Sequence, residues 1–231
     1  MKKFLLFILL AVTVSAQSKD PNKLLKLVKD KFEKVKDYEV DANIHLDINF
    51  IKMPDTRAKI FFKQPDKIKL QSEGFAMLPK QGINFSPAQL LKGNFNSIYV
   101  RSETIDNHKV DIIKVIPKSD TSEVILSTLW IDASQYVIRK VETTTKKAGT
   151  LNIGLEYTDE NFGLPSQIKF SFNLGDLQIP AEMPDASQKK EDTKGRRDRG
   201  PVKGTVTITY SNYKIDKGIP DSFFSDNEKK K

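Results

Sequence analysis

The sequence of 231 residues contains no cysteine, two histidines and one tryptophan. The absence of cysteine excludes disulfide bonds, thiolate metal sites, thiol nucleophiles and lipid attachment to an N-terminal cysteine. Because His45 and His108 are the two histidines of the chain, the sequence argues against most zinc sites and against the usual histidine-based catalytic triads. The sequence also lacks a Gly-x-Ser-x-Gly elbow, a His-Glu-x-x-His motif, a phosphate-binding loop and a dinucleotide fingerprint. We therefore expect a protein that is not an enzyme and that needs no cofactor.

The composition is typical of a soluble globular protein. Hydrophobic residues make up 38% and charged residues 29% of the chain, and the length suits one large domain or two small ones. Lysine and arginine number 38 against 30 acidic residues, which gives a formal net charge of +8. A basic chain can bind nucleic acid, but only in a compartment that contains it.

Residues 1–16 have the pattern of a cleavable signal peptide. Two lysines precede a continuous apolar run over Phe4–Val14, and small residues follow up to Ala16. The alternative is a membrane anchor, but a spanning helix needs about 18 apolar residues and this run is shorter. Export argues against a nucleic-acid partner, and an exported chain without cysteine favours the bacterial periplasm.

One amphipathic helix follows, and then the apolar period changes. Asp20 is a suitable N-cap, Pro21 is a suitable first helical residue, and apolar spacing predicts a helix that ends at about Asp37. From Tyr38 onward apolar and polar residues alternate, which predicts an antiparallel meander with one apolar face. The predicted strands are Glu39–Phe50, Arg57–Lys63, Lys67–Gln71, Ser97–Arg101, Lys109–Ile116, Glu123–Ile131, Val137–Thr145, Thr150–Thr158 and Gln167–Leu174, with a last strand pair over Val202–Ile215.

Two segments interrupt the strand pattern within what we interpret as a single domain over residues 17–231. Residues 73–96 are apolar without a strand period, and a capping box at Ser86 predicts a short helix there. Residues 175–201 form a charged insertion, which we interpret as a flexible solvated loop. The alternative is a basic flap that approaches an anionic lipid surface.

The predicted sheet is larger than its predicted helical cover. Ten strands about 4.8 Å apart make a sheet about 48 Å wide, whereas a helix is about 10 Å across. One long and one short helix do not cover the apolar face of a flat sheet of that width. We therefore expect the sheet to curl and to leave an apolar groove. The alternative is that the curled sheet fills its interior with its own side chains, and the sequence is compatible with both.

Three segments resemble a known family. They are Phe61–Leu70 (FFKQPDKIKL), Leu129–Lys140 (LWID, then VIRK) and Ile219–Phe224 (IPDSFF). With the exported start and the N-terminal helix, they are similar to the periplasmic lipoprotein-carrier superfamily, LolA/LolB-like, in its outer-membrane lipoprotein-sorting branch. The resemblance implies a mainly β (α+β) protein: a strongly curved antiparallel sheet that forms an unclosed β-barrel of about eleven strands, with an N-terminal helix and a short helical lid. It also implies that acyl chains of lipoproteins or lipids bind inside.

The candidate ligand-binding residues are the apolar ones on the inward face. The strands would contribute Val40, Ile44, Leu46, Ile48, Phe50, Ile60, Phe62, Ile68 and Leu70, and the lid would contribute Phe75, Met77, Leu78, Leu90 and Leu91. For each of them the alternative is an ordinary core residue. On the opposite face, His45 lies at strand spacing from Asp41 and Asp47, as a metal site would require. A solvated strand face is the simpler account, so we predict no metal.

These observations and the resemblance together predict a monomeric carrier or chaperone in the periplasm, serving outer-membrane biogenesis. It would bind lipid or lipoprotein acyl chains reversibly and exchange them with partners at the inner and outer membranes. The alternative is an envelope sensor or protein-interaction module on the same fold. A hydrolase acting on acyl or glycosyl esters is a third hypothesis.

Overall fold

The structure is a computed structural model that describes residues 19–48, 51–52, 54–72, 91, 93–146, 149–174 and 202–228. The predicted signal peptide, the predicted short helix at Ser86 and the charged insertion therefore lie outside the described residues. The same holds for five of the candidate ligand-binding residues. These are Phe50, Phe75, Met77, Leu78 and Leu90.

The N-terminal helix, α1, spans Pro21–Glu33. Its start is as predicted, because the Asp20 side chain accepts a hydrogen bond from the main-chain N–H of Asn22 at 2.9 Å. Its end is not: the prediction of a helix to about Asp37 is wrong, since Asp37 begins the first strand. The Asp37 carboxylate is held there by the main-chain N–H groups of Lys217 and Gly218. The apolar spacing would allow the helix to continue to about Asp37. The contact of Asp37 with residues near the C-terminus holds it in the first strand instead.

In the described part of the chain, eleven strands follow α1. They are β1 (Asp37–Ile48), β2 (Ile51–Lys52), β3 (Thr56–Lys63), β4 (Lys67–Ser72), β5 (Phe95–Ile105), β6 (His108–Pro117), β7 (Val124–Asp132), β8 (Val137–Thr145), β9 (Gly149–Glu156), β10 (Gln167–Leu174) and β11 (Val202–Ile215). The predicted strand pair over Val202–Ile215 is instead the single strand β11. It lies between β1 and β10, and it pairs with β10 over Val202–Thr209 and with β1 over Gly204–Ile215 without an intervening turn.

The strands form one antiparallel sheet in the order β4-β3-β1-β11-β10-β9-β8-β7-β6-β5, with β2 paired to β1. The first and last strands of the chain are neighbours in the middle of this order. Among the described residues no pairing joins β4 to β5, so the curved sheet does not close. The predicted architecture, an unclosed β-barrel with an N-terminal helix, is confirmed.

The inward face of the sheet has two parts. In the first, which we call the α1 half, Leu25 and Val28 of α1 pack against buried side chains of β6–β10. In the second, the β1 half, buried side chains of β1 and β3 pack with Ile208 of β11 and with partly buried residues of β4. A smaller cluster under the C-terminal end of α1 joins Phe32 to Phe62 of β3.

The last described residues lie on the outer face of the β1 half. A 3₁₀-helix over Asp221–Glu228 lies against β3 and β4, where the ring centroid of Phe223 is 4.6 Å from that of Phe61. The Asp221 carboxylate pairs with Lys63 at 2.7 Å and with Lys67 at 2.9 Å. Within the described residues, no helix has the length and apolar character needed to span a bilayer.

Candidate ligand-binding interior

Strand register places the predicted wall on one inward surface. Val40 lies opposite Ile60, and Ile60 in turn lies opposite Leu70. On the other side of β1, Leu46 lies opposite Val206 of β11. The polar residues between them, such as Asn43 and His45, face outward. The described wall residues Val40, Ile44, Leu46, Ile60, Ile68 and Leu70 therefore form one cluster, with Phe62 in the adjoining cluster beneath α1.

This wall has a floor and a rim that differ in burial. Val40 and Ile44 are fully buried and Ile60 is 3% exposed, so these side chains are floor residues packed as in any core. By contrast, Leu46 and Leu70 are only partly buried. Leu46 lies toward the end of β1 that leads into β2, and Leu70 lies on β4, the edge strand of the sheet. The rim, not the floor, is the apolar surface that a ligand could still cover.

One predicted residue stands apart from the wall, and one ends its strand. Leu91, predicted as lid, is buried among the α1-half side chains and not against β1. Ile48 is the last residue of β1 and pairs with Ile51 of β2 and Gly204 of β11. Two further rim residues were not among the candidates. Phe170 of β10 and Val206 of β11 are partly buried next to Leu46, and the alternation of their strands is the signal that could have revealed them.

Four tyrosines join the clusters of the interior and were also absent from the sequence prediction. The ring centroid of Tyr213 is 5.6 Å from that of Tyr38 and 6.1 Å from that of Tyr210. Tyr38 also stacks on Phe62 at 5.1 Å. Tyr157 belongs to the α1 half, and Tyr210 contacts both halves. The aromatic rings therefore occupy the boundary between the two halves.

These four tyrosines lie in an environment with little exposure to water. Burial raises the pKa of the phenol groups of Tyr38, Tyr157, Tyr210 and Tyr213. The proximity of Tyr38 raises the pKa of Tyr210 further. All four side chains are nevertheless only partly buried by accessible surface. The four phenol side chains are therefore largely, but not completely, buried.

The start of α1 is fastened to the α1 half by a buried carboxylate. Asp111 of β6 is 2% exposed, and its side chain accepts hydrogen bonds from Lys19 Nζ and Ser102 Oγ, each at 2.6 Å. Lys19 directly precedes Asp20, the N-cap of α1. The helix is thus held over β6–β10 by a charge pair as well as by apolar packing.

The LWID…VIRK segment forms a charged turn. One oxygen of Asp132 accepts hydrogen bonds from the main-chain N–H groups of Ser134 and Gln135, and the other lies 3.2 Å from Arg139 Nη2. Burial by itself raises the pKa of Asp132. The hydrogen bonds from Ser134, Arg139 and the main chain outweigh burial and hold the pKa below its usual value. Arg139 also donates to Glu160 at 2.9 Å. Asp132 and Glu160 therefore stabilise the conformation of this turn.

Trp130 faces outward from this turn. Its neighbours Leu129 and Ile131 are fully buried on the inward face. The indole Nε1 donates to Glu103 Oε1 at 2.7 Å, and Lys140 Nζ lies 4.4 Å from the ring centroid. Trp130 is therefore part of the outer surface and not of the interior.

The polar candidates on β1 also serve the outer surface. His45 Nδ1 is 2.7 Å from Asp55 Oδ1, and this hydrogen bond raises the pKa of His45. Asp41 accepts a hydrogen bond from Asn212 Nδ2 at 2.9 Å. Among the residues that the structure describes, no group of three or more His, Asp or Glu side chains is placed to hold a metal ion.

Several solved structures have a similar architecture. A DUF1329 family protein from Desulfovibrio piger matches with a TM-score of 0.57 and 13% identity over 90% of this chain and 99% of that chain. A putative outer membrane lipoprotein-sorting protein domain from Vibrio parahaemolyticus matches with a TM-score of 0.52 and 12% identity, over 90% and 98%. A LolA superfamily protein from Nitrosomonas europaea matches with a TM-score of 0.52 and 12% identity, over 88% and 96%.

This chain has a LolA-like fold. No family model and no curated protein matches its sequence, so the similarity is one of structure. In the LolA-like fold of this chain, the tyrosines pack against the clusters between the curved sheet and α1, and the rim residues belong to the cluster of the β1 half. The three segments that carry the resemblance lie in the β3–β4 hairpin, in the charged β7–β8 turn and at the start of the 3₁₀-helix over Asp221–Glu228.

Proposed function

We propose that this protein is a soluble periplasmic carrier that binds acyl chains of lipids or lipoproteins inside its LolA-like barrel. The observation that carries the proposal is the partly buried apolar rim beside a completely buried floor. Leu46 and Leu70 present aliphatic surface to the interior, and Phe170 and Val206 extend that surface along the neighbouring strands. Two of the similar structures are named as a lipoprotein-sorting domain and a LolA superfamily protein, which supports the same type of cargo.

The physical basis is reversible burial without covalent chemistry. Each CH₂ group removed from water contributes about 0.8 kcal/mol, so a chain of fourteen carbons gains about 10 kcal/mol before the costs of association. Such a gain is enough to extract a chain from water. It also permits release to a partner of higher affinity at either membrane, because no bond has to be broken.

The proposed compartment rests on the signal-peptide pattern of residues 1–16. Cleavage after Ala16 would leave a mature chain that begins at Gln17, two residues before the Lys19–Asp111 pair. N-terminal sequencing of protein recovered from the periplasm should therefore begin at Gln17. Retention in the cytoplasm of the uncleaved chain would contradict the proposed site of action.

The rim can be tested with two adjacent residues of β11. Val206 lies opposite Leu46 and Phe170 on the inward face, whereas Thr207 lies opposite His45 and Lys169 on the outward face. The side chains are nearly equal in size. Val206→Asp therefore places a charge in the interior, and Thr207→Asp places the same charge on the outside.

The experiment is lipid extraction and mass spectrometry of each variant purified from a bacterial periplasm. We expect co-purified acyl lipid with the wild type and with Thr207→Asp, and at least a tenfold loss with Val206→Asp. Equal amounts of lipid in both variants would show that the lipid does not bind in the interior. A stoichiometric protein partner without lipid in the wild type would favour the envelope-sensor hypothesis instead.

A further inference from the structure

The four interior tyrosines fall into two pairs that use their hydroxyl groups differently. The Tyr157 hydroxyl donates to the main-chain carbonyl of Ile138 at 2.9 Å, and the Tyr213 hydroxyl donates to that of Pro165 at 2.8 Å. Among the described residues, the hydroxyl groups of Tyr38 and Tyr210 have no hydrogen-bond partner. Tyr157 and Tyr213 therefore bind main-chain carbonyl groups, whereas the hydroxyl groups of Tyr38 and Tyr210 are available to donate to another acceptor.

The two unpartnered hydroxyl groups are not sealed in the core. In the described part of the chain, Arg139 Nε is the one fully buried side-chain nitrogen or oxygen without a partner. The hydroxyl groups of Tyr38 and Tyr210 therefore retain accessible surface. Both side chains point inward, since Tyr38 lies opposite Phe62 of β3 and Tyr210 lies opposite Ala42 of β1. Both accessible hydroxyl groups therefore belong to side chains of the inward face.

The surroundings indicate which acceptor would suit these donors. The ring contacts of Tyr38 are with Phe62 and Tyr213, and the cluster around both donors is aliphatic and aromatic. Burial raises the pKa of both phenols, so they remain neutral donors at physiological pH. A neutral carbonyl oxygen costs far less to desolvate than a carboxylate, and a hydrogen bond from a phenol offsets that cost, whereas a carboxylate would also need a cation to compensate its charge.

We propose that Tyr38 and Tyr210 donate hydrogen bonds to the carbonyl oxygen of an ester-linked or amide-linked acyl group held in the interior. This inference rests on the proposed carrier function and makes it more specific. The aliphatic rim would take the hydrocarbon chain, and the two phenols would recognise the point at which the chain joins its headgroup. The site would then distinguish acylated molecules from other hydrocarbons of equal length.

The test compares two lipids that differ in one group. 1-Monomyristoylglycerol has an ester carbonyl, and 1-O-tetradecylglycerol has an ether in its place with the same chain length and headgroup. Each would be titrated against purified, delipidated protein by displacement of the fluorescent probe N-phenyl-1-naphthylamine. We expect the wild type to bind the ester about tenfold more tightly, which corresponds to about 1.4 kcal/mol.

The matched variants remove one hydroxyl group each. Tyr38→Phe and Tyr210→Phe should reduce the preference for the ester, with the melting temperature unchanged or higher, because no protein hydrogen bond is lost. Tyr157→Phe and Tyr213→Phe should lower the melting temperature and keep the preference, because they remove bonds to main-chain carbonyls. Myristic acid as a third ligand tests whether a free carboxylate satisfies the same donors; binding as tight as the ester would overturn the choice of a neutral carbonyl.

The outcomes separate the two levels of inference. Equal affinity of the wild type for ester and ether, or an unchanged preference in Tyr38→Phe and Tyr210→Phe, would overturn the role of the two phenols and leave the carrier function standing. If neither lipid displaces the probe, the carrier function itself fails, and this inference fails with it.

Discussion

The α1 half and the β1 half are built from strands with the same alternating pattern, but they differ in what covers their inward faces. In the α1 half, Leu25 and Val28 of the helix lie over Leu129 and Ile131, and no surface of the latter two remains accessible. In the β1 half, the floor is equally buried, but the rim around Leu46 is only partly so. Alternation therefore determines which face of a strand is apolar, and the position of the helix determines whether that face is occupied by the protein itself.

The largest expected difference between the halves is in packing. Leu129→Ala in the α1 half removes a fully buried side chain and should lower the free energy of unfolding by about 4 kcal/mol. Leu46→Ala in the β1 half removes a side chain that is already partly accessible, and we expect a loss of about 1 kcal/mol. Urea unfolding monitored by circular dichroism measures both. Equal losses would show that the rim is packed as tightly as the core.

The charge pair at the start of α1 gives the next largest effect. Lys19→Met leaves the Asp111 carboxylate buried with Ser102 as its remaining side-chain partner, and we expect a loss of about 2 kcal/mol. The control is Lys26→Met, which breaks the exposed pair with Asp30 and should change stability by less than about 0.5 kcal/mol. Urea unfolding of both variants is again the measurement. A Lys19→Met variant as stable as its control would mean that apolar packing alone holds the helix.

The charged turn of the α1 half should make the protein sensitive to acid. The pKa of Asp132 is lowered from its usual 3.8 in the folded protein, so its ionised form stabilises the fold above that pH. This stabilisation, about 1 to 2 kcal/mol for hydrogen bonds to a charged group, is lost as the pH falls through the folded-state pKa.

The measurement is the melting temperature of wild type and Asp132→Asn between pH 2 and pH 7. The variant should be the less stable at pH 7, and the difference should shrink below pH 3.8 and then vanish. A difference that stays constant over the whole range would show that the ionised carboxylate is not the source of the stabilisation.

The smallest expected effect concerns the outer face of the β1 half. Phe223→Ala removes the ring that packs on Phe61 and beneath Lys69 Nζ, which lies 4.2 Å from its centroid. We expect a loss of about 1 kcal/mol, because Phe223 is only partly buried. Phe162→Ala is the control, since that ring is 42% exposed and should change stability by less than about 0.5 kcal/mol. Equal melting temperatures of the two variants would show that the packing of Phe223 does not stabilise β4.

Much of the wall could be predicted because it depends on local periodicity alone. Val40, Ile44 and Ile60 were placed on the inward face by alternation, and they lie there. The end of α1 could not be predicted, because the contact of Asp37 with Gly218 joins residues far apart in the chain. The tyrosines were missed for a similar reason: a phenol looks the same in sequence whether its hydroxyl has a protein partner or not.

By itself the sequence determined the helix start, the alternation of the strands and the apolar character of one face, because each depends on neighbours within a few residues. Only the tertiary structure decided that β11 is one strand between β1 and β10 and that α1 lies over β6–β10. It also decided which two of four interior tyrosines keep their hydroxyl groups unpartnered among the described residues. These features depend on long-range pairing and packing, in which each residue's partner is chosen by the whole fold.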